Sequence, residues 1–376
     1  MRVVHLITGL HTGGAETMLL KMVRCHLKHG VEMEVISLLP PGTLVPEFEA
    51  LGVPVYCLGI RQGVPDPRGL FRLLKHLSRF KPDLVQTWMY HADLLGGLAR
   101  VFRPGTPVVW GVHHSNLNKG MNRSMTLRIA KLCAWLSRML PRKIVCCSEA
   151  SRAVHAKLGY DADRIVVIPN GFDLDLFHPD PEARVALRAA LGIPENALLV
   201  GLVGRLDPLK DHGNFFKAWG QMPAEINGHP VHALLCGAGM TPETPQIVEW
   251  TQGLDLSRIH LLGLRRDMPQ INAALDVACS SSIGEAFPSV LGEAMACAVP
   301  CVVTDVGDSR LIVAETGRAV PPSDSNALAG ALREVLSLPD RERLALGQAA
   351  LHRVQSNYRV DIVAEKYLNV YSALLK

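Results

Sequence analysis

Short apolar runs recur along this chain of 376 residues, and stretches with helical periodicity separate most of them. VVHLITG, from Val3, leads into a helical pattern at Ala15–His29. Met33–Leu39, Val53–Leu58, Leu84–Trp88, Val108–Val112 and Lys143–Cys147 follow as further strand candidates. A strand that continues into a helix and then into a neighbouring strand returns by a right-handed crossover. The repeated unit therefore implies a parallel, doubly wound sheet with helices on both faces. Composition agrees: 48% of residues are hydrophobic but only 5% are aromatic. Small aliphatics then fill the strands, as a sheet buried on both sides requires.

The rhythm breaks once. Ile168-Pro169-Asn170-Gly171-Phe172-Asp173 gathers turn-forming residues, and polar residues run on through Pro179 and Pro181. It resumes with strand candidates at Leu198–Val203, Ala233–Cys236, Ile259–Leu262, Val277–Ser280, Cys301–Thr304 and Arg318–Val320. Helices are expected near Asn214–Gln221, Glu243–Leu254, Met268–Ala274, Pro288–Ala298 and Ala327–Leu336. The expected organisation is a first α/β domain over residues 1–169, a linker and second α/β domain over 170–357, and a last helix over 358–376 that crosses back to the first. Open parallel sheets bind ligands beyond the carboxyl ends of their strands. Two such domains facing each other would enclose a deep cleft.

Several classes are disfavoured. No apolar run reaches the length of about 18 residues that a membrane span needs. Met1–Leu10 is too short for a signal segment and reads as a buried first strand. Nine cysteines, none in a C-x-x-C pair and most inside apolar runs, point to reduced thiols and a cytoplasmic setting. Their spacing has no zinc-type clustering.

Three constellations carry chemistry. Gly9-Leu-His-Thr-Gly13-Gly14-Ala-Glu16 follows the first strand, where glycines let backbone approach a phosphate or a sugar. Gly204-Arg205-Leu-Asp-Pro-Leu-Lys210 closes the first strand of the second half. Its two cations, a fork and a point charge, suit a diphosphate. In Gly284-Glu285-Ala286-Phe287-Pro288-Ser289-Val290-Leu291-Gly292-Glu293, Pro288 suits a first helical turn. Glu285 then precedes the helix, and the amides of Ser289 and Val290 face an anion at its positive end. Glu293 lies inside the helix among Leu291, Ala294 and Met295, where a carboxylate needs a partner. The layout suits a nucleotide, with its diphosphate at the helix tip, ribose at Glu293 and sugar hydroxyls at Glu285.

Together with Pro-Asn-Gly-x-Asp at 169–173, these motifs resemble family 4 retaining glycosyltransferases, which have two Rossmann-like domains (GT-B type). The resemblance spans nearly the whole chain and keeps the motif order. Met89-Tyr90-His91-Ala92-Asp93 and Val109-Trp-Gly-Val-His113-His114-Ser115-Asn116 resemble the subgroup that builds bacterial O-antigen and capsule. The resemblance implies that Arg205 and Lys210 stabilise the leaving diphosphate, that Glu293 holds the ribose and that Glu285 lies against the donor sugar. His113 would line the sugar site, with His114 as the fallback. Gly14, Phe287, Pro288, Ser289 and Val290 would complete the donor contacts, and Gly13, His91 and His114 would face the acceptor. Ala286 stands where the family commonly has Gly, and Asp308-Ser309-Arg310 stands where it often has Gly and then Glu. These departures bear on the donor-sugar contacts.

The implied reaction moves a hexose or N-acetylhexosamine from a nucleotide-diphosphate sugar, UDP by family habit, to a glycan acceptor, with retention of configuration. A lipid-linked saccharide is the expected acceptor. An epimerase or hydrolase on the same fold, or a non-catalytic nucleotide-sugar binder, remains open. No cofactor or metal is expected. Asp161-Ala-Asp163 and Asp173-Leu-Asp175 match the metal-binding Asp-x-Asp pattern but adjoin no phosphate loop, so they read as turns.

From Leu94 to Ser148 there is no Asp or Glu, yet the segment carries Arg100, Arg103, Lys119, Arg123, Arg128, Lys131, Arg138, Arg142 and Lys143. A helix expected over Arg123–Arg142 would align Arg128, Lys131, Trp135, Arg138 and Arg142 in one stripe, suited to an anionic membrane surface. Nucleic acid is a poor fit, because few aromatics interleave the charges.

Overall fold

The structure, a computed structural model, describes residues 1–60, 67–115, 117 and 124–376 and divides into two compact units. The first comprises residues 1–171 and 360–376, and the second residues 172–359.

In the first unit the strands are β1 (Arg2–Ile7), β2 (Glu32–Ser37), β3 (Val55–Cys57), β4 (Leu84–Trp88), β5 (Val108–Val112), β6 (Lys143–Cys146) and β7 (Ile165–Val167). The helices between them are α1 (Gly14–Lys28), α2 (Val45–Ala50), α3 (Pro67–Phe80), α4 (Tyr90–Phe102), α5 (Ser124–Leu136) and α6 (Glu149–Leu158). All pairings are parallel, in the order β3-β2-β1-β4-β5-β6-β7. Each face of the sheet has its own core. Met18, Val23 and Phe48 cover one face, joined by Tyr367 and Tyr371 from the closing helix Val360–Leu375. Leu73, Leu77, Ala99, Cys133 and Ala134 of α3, α4 and α5 cover the other. Complete burial of a Leu, Val or Phe side chain contributes roughly 1.5–3 kcal/mol, so these two layers supply most of the favourable free energy. The closing helix is tied down by Tyr371, whose hydroxyl donates to Gln86 Oε1 at 3.1 Å, and by His26, whose Nε2 lies 3.1 Å from the Ala364 carbonyl oxygen.

The second unit carries β8 (Leu198–Val203), β9 (Glu225–Ile226), β10 (His229–Cys236), β11 (Ile259–Leu261), β12 (Val277–Ser280), β13 (Cys301–Thr304) and β14 (Gly317–Val320). Its main order is β11-β10-β8-β12-β13-β14, all parallel, and short β9 pairs antiparallel with β10. The helices are α7 (Pro181–Ala190), α8 (His212–Trp219), α9 (Pro245–Trp250), α10 (Met268–Ala273), α11 (Ser289–Ala296), α12 (Ser309–Val313), α13 (Ser325–Leu336) and α14 (Asp340–Asn357). The closing helix Val360–Leu375, in the first unit, is α15.

All nine cysteines are free thiols and eight are buried. Among the described residues, no helix is long and apolar enough to cross a membrane.

Two expected helices end differently. Pro288 is the extended N-cap of α11 (φ −71°, ψ 103°), so the helix starts one residue later than expected, at Ser289. Helix α5 stops at Leu136, and its first described residue is Ser124. The expected five-residue stripe is therefore not one helical face. Arg128, Lys131 and Trp135 are exposed on α5, whereas Arg138 and Arg142 lie beyond it, the latter with its amide on the Val108 carbonyl at 2.8 Å. The expected helix start at Arg123, with Asn116 and Lys119, lies outside the described residues.

Gly292, inside α11, faces the Phe172 ring so closely that a Cβ would lie 2.1 Å from its carbons. That ring is 1% exposed and packs in a three-ring cluster with Phe287 (centroids 6.1 Å apart) and Tyr358 (6.4 Å), which restricts its retreat. Gly-to-Ala inside a helix normally gains about 1 kcal/mol. Here we expect Gly292→Ala to destabilise by about 1–3 kcal/mol through overpacking, read as a lower denaturation midpoint in urea.

Candidate active site

The strand order of the second unit reverses between β8 and β12, and the loops that follow these two strands meet. The first loop is held through its backbone. The amides of Gly204 and Leu206 donate to the carbonyls of Cys236 and Ala238 at 2.8 and 2.7 Å. Asp207 caps a single 3-10 turn, Pro208–Lys210, by accepting the Leu209 amide at 3.0 Å. The second loop grips that turn. The Ile283 amide donates to the Leu209 carbonyl at 2.8 Å, and the Ser281 hydroxyl to the Lys210 carbonyl at 2.9 Å.

This scaffold brings Lys210 Nζ within 2.6 Å of Glu285 Oε1, although the two residues are 75 positions apart. The Ser282 hydroxyl donates to the same oxygen at 2.7 Å. The side chains are 24% and 12% exposed, dry enough for each charge to need the other. Behind Glu285, Gly307 sits at φ +56°, and a Cβ there would lie 2.4 Å from the Glu285 carbonyl oxygen. Only glycine fits so close a left-handed turn. The Thr304 hydroxyl, donating to the Ser282 carbonyl at 2.5 Å, completes the support.

The Glu285 loop runs on through Phe287, packed with Phe172 and Tyr358, to Pro288 and α11. Among the described residues no side chain caps this helix, so the amides of Ser289 and Val290 present its positive end. Glu293 lies half-buried one turn further on. Arg205 sits on the first loop, exposed, with Nε and a terminal nitrogen 3.1 and 2.8 Å from Asp207 Oδ2. Of the departures from the family pattern, Asp308 is buried with its amide on the Ala286 carbonyl at 3.2 Å, and Arg310 pairs with Asp305 at 2.7 Å.

In the first unit the order reverses between β1 and β4. Gly13 is the N-cap of α1, and a Cβ there would meet Glu16 Oε2 at 2.4 Å, because Glu16 folds back over the helix start. Burial raises the Glu16 pKa, opposed by its own backbone amide. Above Gly14 a Cβ would meet nothing within 4 Å. His91 follows β4 in the first turn of α4, half-buried, with its pKa lowered by burial. His113 follows β5 and stacks on Trp88 at 4.9 Å and 20°. Burial lowers the His113 pKa to about 4 against an opposing effect of Asn170, so the imidazole is neutral near pH 7. Among the described residues, neither of its buried ring nitrogens completes a hydrogen bond of normal geometry. Trp88 is fixed from behind by its indole N–H on His5 Nδ1 at 3.3 Å. The His114 carbonyl accepts the Ser151 hydroxyl at 2.9 Å, and the His114 ring meets Tyr90 edge-on.

Two family models match in tandem: "Glycosyltransferase Family 4" over residues 12–176 and "Glycosyl transferases group 1" over residues 197–338. The chain belongs to glycosyltransferase family 4. It is 26% identical over 310 residues to the glycosyltransferase EpsF of Bacillus subtilis, covering 81% of this chain and 79% of that one. It is also 26% identical over 331 residues to the Escherichia coli UDP-Gal:alpha-D-GlcNAc-diphosphoundecaprenol alpha-1,3-galactosyltransferase, covering 85% and 84%. Among solved structures, HepE of Anabaena in complex with UDP superposes with a TM-score of 0.86 at 23% identity, over 99% of this chain and 100% of that one. That likeness shows the shared GT-B fold.

Both Asp-x-Asp sequences of the glycosyltransferase form turns. Asp161 accepts the Asp163 amide at 3.3 Å and pairs with Arg164 at 3.1 Å, and Asp173 accepts the amides of Asp175 and Leu176 at 3.1 and 3.3 Å. Among the described residues no group of three His, Cys, Asp or Glu is placed to hold a metal.

Sequence reasoning missed the support of the histidine loops. Strands β4 and β5 pair only at Val85–Val108 and Gln86–Val109. Just beyond, Asp93 replaces one ladder acceptor: its Oδ1 accepts the Thr87 hydroxyl at 2.5 Å and the Gly111 amide at 3.3 Å, and backbone pairing resumes with the Met89 amide on the Gly111 carbonyl at 2.8 Å. Burial pushes its pKa up to about 7 despite those bonds. The folded enzyme keeps a proton that the unfolded chain releases above 3.8, the ordinary value. Stability from this group is therefore fully present below that pH and is lost as the pH rises through about 7. Asp93→Asn keeps an acceptor for both donors and removes the titration. The variant should gain on the native enzyme between pH 5 and pH 8, by on the order of 2 kcal/mol, measured as the difference in unfolding free energy at the two pH values.

Proposed function

We propose that this glycosyltransferase moves a hexose or N-acetylhexosamine from UDP to a lipid-linked saccharide, with retention of configuration, during assembly of a bacterial surface polysaccharide such as O-antigen. The observation that carries the reading is the meeting of Lys210 and Glu285 across the strand reversal, beside the uncapped start of α11. The relatives favour the substrate classes: the Escherichia coli enzyme is named for UDP-galactose and a diphosphoundecaprenol acceptor, and HepE is crystallised with UDP.

In this reading the bond from the anomeric carbon to the diphosphate breaks, and negative charge collects on the departing phosphate. Lys210, Arg205 and the amides of Ser289 and Val290 stabilise that charge, which is where preorganised donors lower a barrier most. The acceptor hydroxyl bonds to the anomeric carbon on the face that the phosphate leaves, and its proton passes to a phosphate oxygen. No side-chain nucleophile and no metal is required. Glu293 takes the ribose hydroxyls, Glu285 takes sugar hydroxyls, and Phe287 and Pro288 hold the loop between them. Neutral His113 hydrogen-bonds the sugar. Gly14 leaves room for donor backbone contacts, and Gly13, His91 and His114 serve the acceptor.

Lys210→Ala and Glu293→Ala should each lower kcat with UDP-sugar and lipid extract by about 10²-fold or more, with unchanged circular dichroism. Normal turnover in both variants would end this reading. Release of sugar or an epimer without acceptor would replace it with hydrolase or epimerase chemistry.

The acceptor also calls for a membrane surface. Helices α3, α4 and α5 form one layer over the sheet. Its outer side exposes Phe71, Val101, Phe102 and Trp135, together with Arg68, Arg72, Lys75, Arg79, Arg128 and Lys131. Exposed aromatics among cations suit anionic headgroups. The enzyme should sediment with phosphatidylglycerol vesicles and not with phosphatidylcholine vesicles. Lys131→Glu should weaken that binding by well over the roughly fivefold expected for loss of one cation. Equal binding to both vesicles would remove the docking face.

A further inference from the structure

Both cations assigned to the diphosphate also pair with a carboxylate of the protein. Lys210 is on Glu285, half-buried and shared with Ser282, so that pair belongs to the scaffold. Arg205 differs. Its side chain is 72% exposed, and that of its partner Asp207 only 21%. Asp207 is immobile because its other oxygen caps the Leu209 amide at 3.0 Å and its carbonyl accepts the Lys210 amide at 2.9 Å. The loop backbone around them is committed at Gly204, Leu206, Leu209 and Lys210. The moving part is therefore the Arg205 side chain alone, swinging from a fixed acceptor two residues away.

We propose that Asp207 is a counter-ion gate: it holds Arg205 while the site is empty, yields it to the diphosphate, and reclaims it when the nucleoside diphosphate leaves. The inference rests on the donor-site reading above. An exposed pair of this kind is weak, so an incoming diphosphate with two charged groups displaces the carboxylate readily. The product carries more charge than the donor, because breaking the sugar bond leaves a terminal phosphate. Unopposed, Arg205 would grip the product harder than the substrate. A carboxylate fixed beside it competes with the terminal phosphate and favours release. Asp207 thereby acts through Arg205 as a positioning residue and takes no part in bond making.

Asp207→Asn separates this role from capping, since Asn Oδ1 can still accept the Leu209 amide while the charge is gone. Calorimetric titration with UDP should show the dissociation constant falling about two- to fivefold, the range that exposed pairs support. In an Arg205→Ala background the same substitution should change UDP affinity little. Unchanged or weaker UDP binding in Asp207→Asn would overturn the gate, as would equal tightening when Arg205 is absent. A failed donor site looks different: neither Arg205→Ala nor Lys210→Ala would then weaken UDP binding. If both weaken it and Asp207→Asn does not tighten it, the gate alone is wrong.

Discussion

A parallel sheet gathers the carboxyl ends of all its strands on one edge, and a reversal of strand order leaves two adjacent loops there without a covering crossover. The meeting of Lys210 with Glu285 depends on that constraint. In the second unit the reversal between β8 and β12 lets a cation from one loop reach a carboxylate from the other, 75 residues away, at 2.6 Å. Backbone bonds between the same loops, from Ile283 to Leu209 and from Ser281 to Lys210, make the contact a property of the scaffold. The first unit repeats the plan at β1 and β4, where the Gly13–Gly14 turn and His91 emerge.

Rigidity and mobility are divided between backbone and side chain. Gly307 against the Glu285 carbonyl and Gly292 against Phe172 fix the loop and its helix so closely that no Cβ fits. Asp207 fixes the 3-10 turn through its capped amide. What remains adjustable is the long, exposed guanidinium of Arg205. Under the proposed donor reading, such a division would keep the hydrogen-bond donors preorganised while one charge adjusts to the ligand.

Burial sets the protonation states in the first unit. His113 lies against Trp88 and stays neutral because desolvation outweighs the nearby Asn170. A neutral imidazole can donate from one nitrogen and accept at the other, which suits a sugar hydroxyl better than a phosphate. Asp93, buried where it replaces one ladder acceptor between β4 and β5, has its pKa raised to about 7 by the same desolvation, with Thr87 and Gly111 acting against it.

Much of the fold, and the residue types that stand at the strand ends, could be read from residue order alone. Strand and helix periods are local, and Gly, Pro, Arg, Lys and Glu declare their chemistry wherever they stand. The helix boundaries were less legible. Pro288 serves as an N-cap as readily as a first-turn residue, and α5 ends at Leu136 although the basic spacing runs on to Arg142. Asp93 stood in a recognised motif, but its role and that of Trp88 were not legible, because one replaces a ladder acceptor across two strands and the other is a ring seated on another ring. Sequence by itself determined the repeating α/β plan and the residue types at the strand ends, since both follow from short-range patterns. Only the tertiary structure decided which carboxylate meets which cation and which histidine is kept neutral, because those depend on distances between remote segments and on the water excluded around them.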